Sequence, residues 1–332
     1  MGKKIILVVI CFYFFISCAD KKKESKIMQN PHITADNLVA EIVKNIKHYP
    51  EEKVYTLDYG NSYCFFEVFI NDIPTFKDFR ITGSSAFEIN PSVFKSGKQK
   101  VFYKMYPANK SDFGDYNTLI DKSYLELKLA SYDLKKQEAR DVIYSEYKSP
   151  MDTVVNEGFS EQKCIARGKD YYEASFEIDV NVPYDRQPIF KKAKDLRKMD
   201  KDELQKKLLD AYQQVWKIYN NKEYDNIAKI SYDTWKDEFA SKYQDEKYVK
   251  QFWETLLESY KSNTFEMQPL KDYKIDFFAE GKLVALMSTN PDFRNRGNTV
   301  LWAKVKHEGS LRPLYINRYF YIPEGETEFK VF

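Results

Sequence analysis

Residues 65–79, FFEVFINDIPTFKDF, followed by SSAFEINPSVFKSGKQKVFYKMYP at 84–107, decide how the first half of the chain is read. The first stretch is a strand, an Asn-Asp turn and a second strand. The next brings an Asn-Pro break, a Gly-containing turn and another strand. Cys64, Phe66, Val68 and Ile70 alternate onto one apolar face, the period of two that marks a half-buried strand. Outward from this core the same period recurs over Val54–Asp58, Gln99–Tyr106, Tyr124–Tyr132, Ala139–Tyr147 and Tyr171–Val182. Strands in such number, separated by Asn-Asp, Ser-Gly and Asn-Pro turns, predict an antiparallel β-sandwich over 34–189. A short helix over Thr34–Tyr49, apolar at Leu38, Val39, Ile42, Val43 and Ile46, is expected to pack on it.

The strand and turn order of residues 64–107 resembles the galactose-binding-like jelly-roll domains attached to some glycosidases. The resemblance implies a jelly-roll-like topology. At FKKAKDLRKMDKDELQKK, residues 190–207, strand periodicity gives way to charge, and 190–201 reads as a solvated linker. Asp200 and Glu203 have the spacing of a helix-capping box. Beyond them three helical stripes follow, through Leu204–Tyr219, Ile227–Phe239 and Tyr248–Tyr260. Strands at Tyr273–Phe278, Lys282–Met287, Thr299–Lys306 and Leu314–Ile322 then turn at Glu280-Gly281 and Glu308-Gly309. Three helices and an antiparallel sheet make 202–332 an α+β domain. In element order residues 200–332 look like the NTF2-like superfamily, whose cone-shaped sheet can enclose a pocket.

The amino terminus speaks to location. Lys3 and Lys4 precede an apolar run, Ile5–Ile16, that is shorter than the ~20 residues of a membrane-spanning helix. It has the proportions of a signal-peptide core, giving residues 1–17 as signal peptide. Phe15-Ile16-Ser17-Cys18 resembles the bacterial lipobox, with Phe15 in place of the usual Leu. That resemblance implies cleavage before Cys18 and its diacylation and N-acylation, so that acyl chains such as palmitate tie the protein to the membrane. Two or more chains give durable anchoring where one does not. Residues 18–33 read as a polar, Lys-rich tether. They lack the acidic cluster of lipoproteins sent to the cell surface, so the expected place is the outer membrane facing the periplasm.

The chain carries 52 basic and 50 acidic side chains, and loss of Lys3 and Lys4 with the signal leaves the signs equal. This balance gives no electrostatic reason to expect nucleic acid. The 26 Tyr and 24 Phe suit aromatic-rich sheet, with sugar binding as the sharper reading. Cys64 and Cys164 are the two cysteines of the mature fold; they could pair in an oxidising compartment or stay as buried thiols. The three histidines, His32, His48 and His307, are too isolated for a zinc site. No Gly-x-Ser-x-Gly, P-loop, dinucleotide-binding or EF-hand motif occurs, so no metal or cofactor is expected and a catalytic role is disfavoured.

One constellation in the last domain suggests a ligand face. Trp302, Lys304 and Lys306 share one side of their strand, and Tyr315, Tyr319 and Tyr321 one side of the next. Paired, they would form an aromatic wall with Lys heads beside it, able to stack on sugars or apolar ligands. Arg294 and Arg296, in the loop NPDFRNRGN, would add anion contacts at its rim. The whole reads as an anchored, non-catalytic envelope lipoprotein that binds or scaffolds a protein or small ligand. Carbohydrate capture, an immunity or inhibitor role, and an NTF2-like pocket enzyme are the alternatives.

Overall fold

The computed structural model describes residues 28–80, 83–109, 114–136, 142–156 and 158–332; the expected signal peptide, Cys18 and the expected tether through residue 27 lie outside them. Among the described residues there are seventeen strands, laddered antiparallel, and four α-helices. None of those helices is long and apolar enough to cross a membrane.

Two four-stranded sheets occupy the first half. One joins β1 (Lys53–Ser62), β4 (Ser84–Glu88), β6 (Tyr124–Asp133) and β7 (Val142–Lys148) in the order β4-β1-β6-β7. The other joins β2 (Cys64–Ile70), β3 (Ile73–Asp78), β5 (Gly97–Pro107) and β10 (Tyr172–Val180) in the order β10-β5-β2-β3. Leu57 of β1, Leu127 of β6, Val68 of β2 and Tyr103 of β5 belong to one buried cluster to which both sheets contribute. Alternation brings them there, since every second residue of each strand points to the same face. The Asn-Asp turn works because Asn71 and Asp72 adopt φ of 54° and 63°, a left-handed pair these side chains tolerate and a two-residue hairpin requires. A separate hairpin, β8 (Met151–Asn156) with β9 (Phe159–Cys164), has no counterpart in the sequence reading.

Strand β2 is buried on both faces, with Glu67 its one half-exposed residue. Cys64, Phe66, Val68 and Ile70 belong to the cluster shared by both sheets. On the reverse, Phe65 packs with Phe79, and Phe69 packs with Phe278, Leu283, Ala285 and Met287 of the second half. That reverse face joins the halves through an apolar seam.

The second half contains α2 (Lys201–Asn220), α3 (Tyr224–Ser241) and α4 (Glu246–Lys261). Asp200 caps α2 by accepting from the Asp202 and Glu203 amides at 3.1 and 2.9 Å, as its spacing predicts. Asp245 does the same for α4 through the Tyr248 amide at 2.7 Å. The expected single sheet is divided. Strands β11 (Glu266–Met267), β14 (Trp302–His307) and β15 (Ser310–Tyr315) form one sheet. Strands β12 (Tyr273–Phe278), β13 (Leu283–Ser288), β16 (Phe320–Tyr321) and β17 (Lys330–Val331) form another. The strand expected over Leu314–Ile322 breaks because residues 316–319 cross between the two sheets. There the Asn317 side chain accepts from the Thr299 amide at 2.8 Å and Arg318 turns into the helical core.

Three further expectations are corrected. The short helix α1 (Leu38–Val43) packs on α3 and α4, not on the first-half sheets. Six residues are too few for a self-sufficient helix, and full burial of Leu38 and Ile42, at ~1.5–3 kcal/mol each, fixes it there. The end of the expected tether is fastened to the second half. Gln29 exchanges two hydrogen bonds with the Val331 backbone at 3.0 and 2.9 Å, Asn30 donates to Asp233 at 2.8 Å, and Ile33 is fully buried. Finally, the linker is pinned rather than solvated, since Phe190, Ala193 and Leu196, spaced by three, turn inward while its charges face water.

Candidate functional site

The hairpin of β14 and β15 turns at Glu308 and Gly309, whose φ of 47° and 79° suit its two-residue loop. Register places Trp302 opposite Tyr315, Lys304 opposite Pro313 and Lys306 opposite Leu311. Leu301, Ala303 and Val305 point the other way, into the helical cluster. The helices therefore cover one face of β14 and leave the Trp302 face half-exposed. The Trp302 and Tyr315 ring centroids lie 6.4 Å apart at 33°, and the Lys304 ammonium sits 5.8 Å from the Trp302 ring. A groove of about 230 Å³ runs along them, bordered by Asp292, Arg294 and Arg312.

The rest of the expected wall lies elsewhere. Tyr319 and Tyr321 lie against the seam between the halves, Tyr319 edge-on to Phe278 at 5.4 Å, and burial raises both phenols above their ordinary range. Lys306 is on the Trp302 face but exposed beyond the groove. Arg294 borders the groove already paired with Asp292, whose carboxyl that guanidinium holds below its usual range. Arg296 points away, donating to Asn109 Oδ1 at 2.9 Å and lying over Phe65 and Phe79. Cys64 and Cys164 are both buried free thiols, their pKa values raised chiefly by burial, which makes them poor nucleophiles.

Arg296 enters a second cavity, of about 270 Å³, at the junction of the halves. Its sheet-side wall is the reverse face of β2 and β5, where Glu67 pairs in register with Lys104 on one side and Lys77 on the other. Glu67 accepts from Tyr106 Oη at 2.7 Å, and the buried phenol is held above its ordinary pKa. Opposite stand Lys274 and Asp276, paired at 2.9 Å. Gly297 closes one edge with φ of 63°; a Cβ there would come within 2.6 Å of Lys77 and 2.8 Å of Glu67.

Lys77 ties the halves together, donating to the Gly297 carbonyl and to Asn298 Oδ1 at 2.6 Å. Burial lowers its ammonium to about 8 from an ordinary 10.5. Between those values the unfolded chain binds a proton that the folded chain does not, so stability should rise as pH climbs from 8 towards 10.5. The effect is at most on the order of 3 kcal/mol, reduced by the water a half-buried ammonium keeps. Lys77→Met should remove this increment, measured as the difference between wild-type and variant urea midpoints at pH 7.5 and 10.5. Identical pH profiles would contradict the assignment.

Among the described residues no three His, Cys, Asp or Glu side chains gather to hold a metal ion. No protein-family model matches the chain, and neither does any curated protein or solved structure.

Proposed function

We propose that this chain is a membrane-anchored, non-catalytic lipoprotein of the bacterial cell envelope that captures saccharides on the Trp302–Tyr315 face. The two stacked sheets of the first half are read as a β-sandwich that supports an α+β ligand-binding half. The observation that carries the reading is the cross-strand pair of half-exposed rings with Lys304 beside it. Flat aromatic faces stack on the C–H faces of sugar rings while neighbouring polar groups fix orientation. The groove's volume of about 230 Å³ suits one or two sugar units at a chain end.

Trp302→Ala is expected to abolish retention on immobilised saccharides while leaving far-UV circular dichroism and the melting temperature near wild type. Trp302 is half-exposed and its side chain leaves no core cavity, so stability should change by no more than ~1 kcal/mol. Unchanged retention, or an unfolded variant, would contradict the reading.

The anchoring rests on Phe15-Ile16-Ser17-Cys18. Eleven residue steps separate Cys18 from the fastened Gln29, and at ~3.6 Å each they reach at most ~40 Å. An acylated Cys18 would therefore hold the second half close to the bilayer. Cys18→Ala is expected to shift the protein from the detergent-extracted membrane fraction to the soluble fraction; equal membrane retention would remove the anchor.

A further inference from the structure

We propose that the junction cavity is a second binding site, independent of the Trp302 groove, for small organic anions with a flat apolar body. Three cations, Lys104, Lys274 and Arg296, face two carboxylates, Glu67 and Asp276. The carboxylates are engaged, Glu67 by the Tyr106 hydroxyl and Asp276 by Lys274. Among the described residues no carboxylate lies in ion-pair contact with Lys104 or Arg296. Lys104 lies 5.3 and 5.7 Å from the Phe69 and Phe102 rings, and Arg296 lies 5.8 and 6.0 Å from those of Phe65 and Phe79 while its guanidinium donates to Asn109.

Both cations are half-buried, so each has given up part of its hydration. Ring quadrupoles and a neutral amide recover less than a carboxylate would, because charge-assisted bonds are the stronger class. The site therefore presents an unfilled preference for negative charge. Its apolar wall consists of Phe69, Phe79, Phe278 and Met287, each less than a tenth exposed and fixed by the seam between the halves. A preformed cavity of about 270 Å³ is just below the usual range of small-molecule pockets, ~300–1,000 Å³, which fits one ring or a fused pair carrying an acid. Lys77, behind Gly297, adds positive potential at the closed edge.

The test is isothermal titration of the full chain in non-ionic detergent with two probes of equal ring and opposite charge, indole-3-acetate and tryptamine. Indole-3-acetate should bind with Kd below ~1 mM and tryptamine about tenfold or more weakly. Lys104→Met and Arg296→Met should each weaken indole-3-acetate by about tenfold, the loss expected of one desolvated charge contact, and Trp302→Ala should leave it unchanged. Inorganic phosphate at the same concentration should not displace it. Equal affinity for the two probes, no measurable binding, insensitivity to both Met variants, loss with Trp302→Ala, or displacement by phosphate would each overturn the proposal. The probe comparison uses wild-type protein, so it decides the matter even where a Met variant folds poorly.

Discussion

Asn90→Ala should destabilise the protein by about 3–6 kcal/mol, the larger of the two largest effects expected of any single substitution here. Asn90 is fully buried and uses three arms of its amide. Its Oδ1 accepts from the Tyr55 amide at 2.7 Å, and its Nδ2 donates to the Lys53 and Ser241 carbonyls, both at 3.0 Å. Two of these groups belong to β1 and the third closes α3, so a single side chain clasps the first-half sheet to the helical layer. Alanine leaves one amide and two carbonyls buried without partners, at ~1–3 kcal/mol each. Asn90→Asp should be no milder, because a carboxylate keeps the shape but sets negative charge against two carbonyls. Equilibrium urea unfolding measures both, and a loss below ~1 kcal/mol for Asn90→Ala would show that the clasp is not needed.

Arg318→Ala should cost about 3–5 kcal/mol, whereas Arg318→Met should fall within ~1.5 kcal/mol of wild type or above it. Arg318 is 6% exposed, in the layer between helices and sheet. Its guanidinium donates to Tyr219 Oη and Ser231 Oγ, each at 2.7 Å, and lies 5.9 Å from the Trp235 ring. Its ion-pairing role is unfilled among the described residues, and its Nε has no partner. A buried cation held by hydroxyls gives up hydration without Coulombic return, so its volume matters more than its charge. Methionine keeps most of that volume, and alanine empties it. Equal losses in the two variants would instead assign the stabilisation to the charge. Thermal melts of the three proteins at one pH distinguish the cases.

Local pattern made much of this legible. Alternation marked β5, β6 and β10, and the Asp200 cap and the Tyr248–Tyr260 stripe marked the helices, because each signal lies within one element. What depends on two distant elements was not legible. The partner of α1 follows from which apolar surface lies nearest, and one helix stripe of six residues carries no address. Tyr319 and Tyr321 were placed with Trp302 by counting along a strand, but Asn317 and Arg318 find partners that carry the backbone out of that ladder. The junction cavity was missed although it left a mark. In CFFEVFI both parities are apolar, the sign of a strand covered on both sides, and Glu67 is its one acid. A lone carboxylate in such a strand points to a polar site inside a seam.

The central claim, that Trp302 and Tyr315 form a working ligand face, is tested most directly by saturation-transfer NMR of a saccharide panel with wild-type protein and Trp302→Ala. The account predicts transfer from the protein to ring protons of at least one saccharide in wild type, and none to that saccharide in a variant with an unchanged amide spectrum. Equal transfer with and without the Trp302 indole, or no transfer to any saccharide, would contradict it.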